Sequence, residues 1–377
     1  MDEHLKSFKY RYAGIELYFG PGAISGLEDW LKRHERVLIV TGRRSAKESG
    51  ALDDALKILS RHGVAYEVFS DVTPNPWASQ ADRMAERAWS MGAEAILAIG
   101  GGSVIDAAKV AAMIAVSGGR ASDYVYGRRR ARGCLPVYAI NLTHGTGTEV
   151  DRYSVLTVDE TREKRGMVSI YPTASVDDPL YTLTLPRDQT IYVSLDVFYH
   201  AYESATQRDS PPIVELLSAE AVRLLGMWLP RAVENLNDLE ARYWLLYASM
   251  LAGVAIDISG THVNHLLEHE LSGANPRLAH GCGLALLGPR VVYYTHKLAP
   301  QASAAVLRAL EPSIRPVPDD AEKAMRVVKE FQESVGFRER LSDYGFSESD
   351  LRAIARKHAG LMGFGEEQLF DILKSAA

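Results

Sequence analysis

Residues 95–109 read AILAIGGGSVIDAAK. Five apolar residues, enough for one buried strand, run straight into Gly100, Gly101, Gly102 and Ser103, and a helical pattern follows. Glycines let a backbone approach a phosphate closely, and the unpaired N–H groups and dipole of a helix start favour an anion there. Ser103 is placed to cap the helix or to donate to a phosphate oxygen. The stretch is neither G-x-G-x-x-G nor the P-loop pattern. It therefore predicts pyrophosphate binding without either fingerprint, set against a plain tight turn that holds no ligand.

The same alternation extends outward on both sides. Residues 36–41 (RVLIVT), 65–70 (AYEVFS), 95–99 and 135–141 read as strands, and 49–62, 80–91 and 104–116 as helices. This βαβα order implies a mostly parallel sheet covered on both faces. Residues 141–149 (NLTHGTGTE) then form a polar loop at the carboxyl edge of the sheet, where ligands of open α/β sheets gather. RVLIVT runs into Gly42, Arg43, Arg44 and Ser45, with no carboxylate among them. An acidic group at that point would accept from an adenosine ribose 2′-hydroxyl and repel a 2′-phosphate. Gly42 leaves room and Arg43 offers charge-assisted bonds. The expectation is NADP(H) in preference to NAD(H).

Beyond Asp178-Pro179 and Leu185-Pro186 the period changes. Residues 189–207, 212–229, 239–259, 263–271, 281–295, 319–335, 348–357 and 366–374 read as helices, and no strand pattern recurs. Two domains follow: an α/β dinucleotide-binding domain over 1–183 and an all-helical domain over 184–377.

Composition narrows the function classes. With 377 residues, 47% hydrophobic and 24% charged, the chain is an ordinary globular protein long enough for two cores. A net charge of -6 gives no reason to expect nucleic acid. Arg128, Arg129, Arg130 and Arg132 form the one basic cluster and read as a solvated loop. Two cysteines, Cys134 and Cys282, make no disulfide framework and suit a reducing compartment. The first residues lack a signal-peptide core, and no apolar run spans a bilayer. A cytoplasmic enzyme without a membrane partner is expected.

The helical half carries the candidate chemistry. Asp196 and His200 are spaced i,i+4 in SLDVFYHAYE, which places both on one helix face. His265 and His269 repeat that spacing in NHLLEHELSG, and His280 follows in LAHGCG. A mixed oxygen and nitrogen set suits a divalent first-row metal: iron, zinc, nickel or cobalt. A lone i,i+4 pair is more often a surface pair, so the weight lies on two pairs and His280 in one half. Spacing leaves open whether His262, His265 or His269 is the ligand. It leaves Cys282 as a remote thiolate candidate, since apolar free cysteines are usually structural.

Taken together, these stretches resemble the iron-dependent (group III) alcohol dehydrogenases over nearly the whole chain. GGGSVIDAAK at 100–109 is similar to the phosphate-loop signature of that family, and FGPGA at 19–23 and PNP at 74–76 match smaller features. GTGTE at 145–149 is similar to its nicotinamide-side loop, and DVFYHAYE and HLLEHELSG…HG to its metal-binding stretches. The resemblance implies a Rossmann-like α/β domain joined to an all-α metal-binding domain, the dehydroquinate synthase-like fold. It implies Asp196, His200, His265 and His280 as ligands of Fe(2+), with Zn(2+), Ni(2+) or Co(2+) as alternatives. His269 becomes the additional histidine beside substrate and nicotinamide. Gly101, Gly102 and Ser103 would hold the pyrophosphate, with Asn75, Asp106, Thr143, Thr146 and Thr148 among the cofactor contacts. Asn141-Leu142 and His144 depart from the family pattern. The implied reaction interconverts a small alcohol and its aldehyde by hydride transfer to NADP(H) or NAD(H). The resemblance also implies a homodimer paired through 15–19 (IELYF), read as an exposed edge strand.

Rival readings on the same fold are a polyol dehydrogenase, a maleylacetate-reductase-like enzyme and a dehydroquinate-synthase-like lyase. The lyase would need a basic pocket for a phosphorylated acid, and none stands out in the helical half. A nonenzymatic nucleotide or metal sensor is the rival from another class. Absorbance at 340 nm with reduced cofactor and a short aldehyde separates it from an enzyme.

Overall fold

A computed structural model describes residues 5–377. The chain divides into two compact units. The first holds the residues up to Pro186 together with Leu236–Leu246, and the second holds Arg187–Asn235 and Tyr247–Ala377. Residues 236–246, counted by sequence with the helical half, thus cluster with the first unit. Physical contacts account for this. Tyr243 donates to the Lys6 carbonyl at 2.9 Å and meets Phe19 edge-on at 5.1 Å between ring centroids.

Among the described residues, the first unit is built on nine strands: β1 (Phe8–Tyr12), β2 (Ile15–Phe19), β3 (Arg36–Gly42), β4 (Ala65–Val72), β5 (Ala95–Gly100), β6 (Val137–Asn141), β7 (Tyr153–Thr157), β8 (Lys164–Val168) and β9 (Ala174–Asp177). Seven form one sheet in the order β1-β2-β9-β6-β5-β3-β4, parallel except for β1 against β2. Successive residues feed opposite faces. Leu38, Val40, Ile96 and Ala98 pack with the helices Ala78–Ser90 and Gly102–Ser117. Val37, Ile39, Leu97 and Ile99 pack with Leu27, Leu31 and the helix Ala51–Arg61. Both faces are therefore covered, which is why these strands read as continuous apolar runs.

Three expectations change. Ile15–Phe19 is not an exposed edge, because β1 pairs with it on one side and β9 on the other. A two-residue turn makes that hairpin, with Ala13 at φ 49° and Gly14 at φ 90°, as a type I′ turn requires. The outer strand is instead β1, whose FKYRY carries Lys9 and Arg11, charges that blunt an edge. Second, β7 and β8 form a separate antiparallel hairpin that the α/β pattern does not announce. Third, β9 has only four residues, too few for periodicity to register.

The second unit is helical: Arg187–Ala205, Pro212–Glu234, Val263–Ala274, His280–Leu298, Ala321–Ser334, Glu348–His358 and Glu366–Ser375 all meet a sequence expectation within a few residues. Pro300–Leu307 was not expected; its proline at the helix start reads as a break from outside and as an N1 residue from inside. The helix Leu239–Ser259 runs from one unit into the other. Among the described residues, no single helix is long and apolar enough to cross a membrane.

Candidate metal centre and nucleotide loop

The helix Arg187–Ala205 is buried almost all round from Ser194 onward. Apolar neighbours such as Leu195, Phe198 and Ala201 drive that burial and carry Asp196 and His200 inside with them. The helix Val263–Ala274 brings in His265, and His280 is the first residue of the helix that follows. The Asp196 Oδ1 atom lies 3.4 Å from His200 Nε2, 3.7 Å from His265 Nε2 and 3.8 Å from His280 Nε2. Asp196, His200, His265 and His280 each offer one atom, all within 4.8 Å of one another.

This arrangement fits a metal better than it fits mutual hydrogen bonding. Asp196 Oδ1 and His265 Nε2 are buried with no hydrogen-bond partner, which is costly unless something else satisfies them. Ligands at about 2.1 Å around a tetrahedral ion stand about 3.4 Å apart, against 3.4, 3.7 and 3.8 Å from Asp196 to the three rings here. Burial would raise the Asp196 carboxyl, yet His200, His280 and His265 hold it well below the usual carboxylate range. Burial pulls His200 down to about 4, leaving it a neutral imidazole, the form that coordinates.

Two carboxylates stand behind the histidines. Glu203 Oε2 pairs with His265 Nδ1, and Glu268 Oε2 with His280 Nδ1. Burial alone would lower His265, but Glu203 outweighs it and pushes the ring up to about 9. Such outer carboxylates fix which nitrogen faces the ion and raise its basicity. Sequence reasoning missed both glutamates. Their signal was present: each is a charged residue inside an apolar helix, at i+3 from His200 and i+3 from His265. Glu268, His269 and His280 make a second three-residue grouping, but there Glu268 already serves the His280 ring.

His262 occupies the cap position of its helix without capping it. Its ring meets Glu203 Oε1 at 2.9 Å and Thr206 Oγ1 at 2.8 Å, one step further out. His269 is half-buried, with its ring centroid 5.5 Å from that of His280 and 6.4 Å from that of His265. Cys282 is buried, 3.4 Å from the Tyr344 hydroxyl, and burial raises its thiol to about 12, so it remains a neutral thiol outside the cluster.

In the first unit, β3, β5 and β6 end at one edge of the sheet, with β4 and β5 on opposite sides of β3. Such a switch point is where open α/β sheets take ligands. Gly101 caps the helix Gly102–Ser117 in extended conformation, and no side chain caps it; Ser103 lies inside the first turn. The glycines serve a second purpose. A Cβ on Gly101 would stand 2.7 Å from Thr143, and one on Gly102 2.5 Å from Thr146. The two loops therefore touch, and only glycine admits that contact. Asn141 Oδ1 accepts from the Thr143 backbone at 3.1 Å, an Asx turn built from the residue that departs from the family pattern.

Asp106 and Thr148 lie beneath this contact. Thr148 donates to Asp106 Oδ1 at 2.6 Å, and Asp106 Oδ2 accepts from the Val155 backbone at 2.9 Å. Lys109, fully buried, donates to Thr148 Oγ1 at 2.7 Å and to the Asp151 and Tyr153 carbonyls. Gly42 ends β3 with nothing closer than 3.6 Å to a Cβ placed there. Arg43 is 73% exposed and 3.3 Å from Asp71, a carboxylate on β4 that also pairs with Arg83. Sequence inspection of 42–45 alone could not find Asp71. Asn75, at φ 50°, follows β4 at this same edge, with its carbonyl 3.5 Å from Thr157 Oγ1.

Compared with known proteins, residues 15–179 match the iron-containing alcohol dehydrogenase family, and residues 190–366 match the C-terminal region of the Fe-containing alcohol dehydrogenases. A long-chain primary alcohol dehydrogenase from Thermoanaerobacter ethanolicus is 38% identical, spanning 90% of this chain and 87% of the relative. A 1,3-propanediol dehydrogenase from Klebsiella pneumoniae is 31% identical, spanning 93% and 92%. Among solved structures, NADH-dependent butanol dehydrogenase A from Thermotoga maritima superposes with a TM-score of 0.89 at 28% identity, over 99% of this chain and 100% of that one.

The pairing of Glu268 with His280 generates a direct expectation. Glu268→Gln keeps the shape but offers His280 an amide in place of a carboxylate. Divalent-ion affinity, read by competition with a chromophoric chelator, should fall about 10–100-fold while the circular dichroism spectrum is unchanged. Unaltered affinity would show that the carboxylate does not support the ring.

Proposed function

The chain belongs to the iron-containing alcohol dehydrogenase family and is an oxidoreductase; from that footing we propose that Asp196, His200, His265 and His280 hold one divalent ion, Fe(2+) or else Zn(2+), Ni(2+) or Co(2+), where a small alcohol and its aldehyde are interconverted. The observation that carries this reading is the convergence of four ligand atoms, three of them on buried residues and the fourth on half-buried His280, with Asp196 Oδ1 and His265 Nε2 lacking hydrogen-bond partners. An ion held there supplies a Lewis acid that lowers the pKa of the alcohol hydroxyl. A nicotinamide held by the glycine loop would supply the hydride acceptor for the alcohol carbon, the C–H bond and the hydroxyl proton being given up as the carbonyl forms.

The protein's own groups divide the remaining work. Glu203 and Glu268 keep Nε2 of His265 and His280 turned inward. His269, half-buried beside those rings, takes the released proton or positions the substrate hydroxyl. Gly101, Gly102 and Ser103 present a helix start without a side-chain cap to the pyrophosphate. Thr143 and Thr146, packed on those glycines, line the same loop contact, with Asp106 and Thr148 supporting it. The dinucleotide role expected of 1–183 falls to the first unit, with Leu236–Leu246 added to it, and the metal and substrate role expected of 184–377 to the second. The enzyme works in the cytoplasm, consistent with two free cysteines.

For the nucleotide, the butanol dehydrogenase neighbour is described as NADH-dependent. The residues of this chain favour NADP(H). Gly42 leaves space, and Arg43 and Arg83 share the single carboxylate of Asp71, which leaves the edge net positive. A 2′-phosphate there would compete with Asp71 for Arg43. Steady-state kinetics should give a higher kcat/KM with NADPH than with NADH, and Gly42→Asp should invert the order. Equal or better efficiency of the unaltered protein with NADH would refute the preference.

The chain is expected to act as a homodimer or a multiple of one, as the family resemblance implies; the pairing through 15–19 does not carry that expectation, since β1 and β9 already flank this strand. A monomer mass by light scattering at micromolar concentration would contradict this.

His265 and His269 share a helix face but are assigned different work. His265→Ala should lose the metal. His269→Ala should keep it, with turnover falling about 10²–10⁴-fold if the ring carries a proton. A relay also changes the pH–rate profile, whereas a positioning role chiefly raises KM for the alcohol. Metal analysis decides between them: equal metal loss in both variants would make His269 a ligand.

A further inference from the structure

Arg242 is the largest fully buried side chain among the described residues. A guanidinium has five donors and no acceptor, so every partner must accept. Its Nε donates to the Leu236 carbonyl at 3.1 Å and its Nη2 to the Leu185 carbonyl at 3.3 Å. Its Nη1 lies 3.1 Å from His144 Nε2. His144, itself fully buried, must therefore accept through Nε2 and carry its proton on Nδ1. Burial, reinforced by Arg242, lowers that ring to about 3, so the accepting form persists across the working range of an enzyme.

His144 lies between Thr143 and Thr146, the two side chains that rest on Gly101 and Gly102. The segment 143–147 (THGTG) contains two glycines, and Gly147 adopts φ 66°. Such a segment has much freedom to lose. Its far end is fastened by Lys109 to Thr148, Asp151 and Tyr153. Its near end has the Asn141 turn and, from 98 residues away, Arg242. A loop held at both ends before its ligand arrives binds without the cost of ordering itself.

We propose that Arg242 and His144 form a positioning pair for the dinucleotide, holding Thr143 and Thr146 against the phosphate loop. This rests on the reading of 141–149 as a cofactor loop. Neither residue needs to touch the cofactor. His144 is one of the positions at which this loop departs from the family pattern.

The test uses metal-loaded full-length protein and NADPH, followed by fluorescence titration and steady-state kinetics. His144→Ala should raise both Kd and KM for NADPH about tenfold, which is about 1.4 kcal/mol and suits one hydrogen bond to a charged group. Metal content should hold, and kcat at saturating NADPH should stay within about twofold, the signature of lost uniform binding. His144→Gln places an amide oxygen near the former Nε2 and should recover most of the affinity. Should His144→Ala fail to fold, His144→Asn, whose shorter amide falls short of Nη1, carries the same expectation. Thr146→Ala tests the loop itself. If Thr146→Ala weakens NADPH while His144→Ala does not, the positioning role is overturned and the loop reading stands. If neither changes Kd, both fail. A parallel fall in Tm and kcat with Kd unmoved would make the pair merely structural and would also overturn the proposal.

Discussion

The helical unit depends on one constraint: three imidazoles and a carboxylate face one another inside an apolar bundle. Asp196 Oδ1 sits 3.4–3.8 Å from three Nε2 atoms, too far for good hydrogen bonds and too close for neutral indifference. Buried polar atoms left in that state are expensive, so the arrangement is stable only with a cation at its centre or with protons distributed among the rings. Glu203 and Glu268 belong to the same constraint. Each takes the outward nitrogen of one imidazole and thereby turns the other inward. His262 and Thr206 extend the chain of support behind Glu203. A polar network of this depth specifies one packing of its helices, because almost any slip leaves a buried group unsatisfied.

In the α/β unit, the equivalent constraint is close backbone approach. Gly101 and Gly102 are needed as much by Thr143 and Thr146 as by any ligand, since a Cβ would stand within 2.7 Å of those side chains. Two buried cations then hold the second loop from opposite ends. Lys109 reaches it from the helix of the phosphate loop, and Arg242 from residues 236–246. Both are fully buried and both are met by backbone carbonyls as well as side chains. That explains why residues 236–246 cluster with the α/β unit although their sequence reads as part of the helical half.

The edge strand shows how a local reading can be right in kind and wrong in place. IELYF is a strand with alternate residues buried, as its pattern implies. Whether it is an outer strand depends on what lies beside it, and FKYRY folds back across it through a turn at Ala13 and Gly14. FKYRY alternates aromatic and basic residues but stays mostly exposed, so it is held as a strand by its pairing with β2 rather than by burial of its own.

The sequence by itself determined the α/β half with its parallel sheet, the helical half and their order, because hydrophobic period and glycine punctuation are local properties. It also brought the histidine-rich stretches to attention, since i,i+4 spacing is a property of a single helix. Spacing left open which histidines converge; the family resemblance pointed to one set, and the packing of the helices brings that set together. His265 joins Asp196, His200 and His280, while His262 and His269, three and four residues away, do not. Tertiary structure alone brought Asp71 to Arg43, Glu203 to His265 across 62 residues, and Arg242 to His144 across 98. Those partners are chosen by how the helices and strands pack, and no periodicity along the chain encodes a distance between segments that meet only after folding.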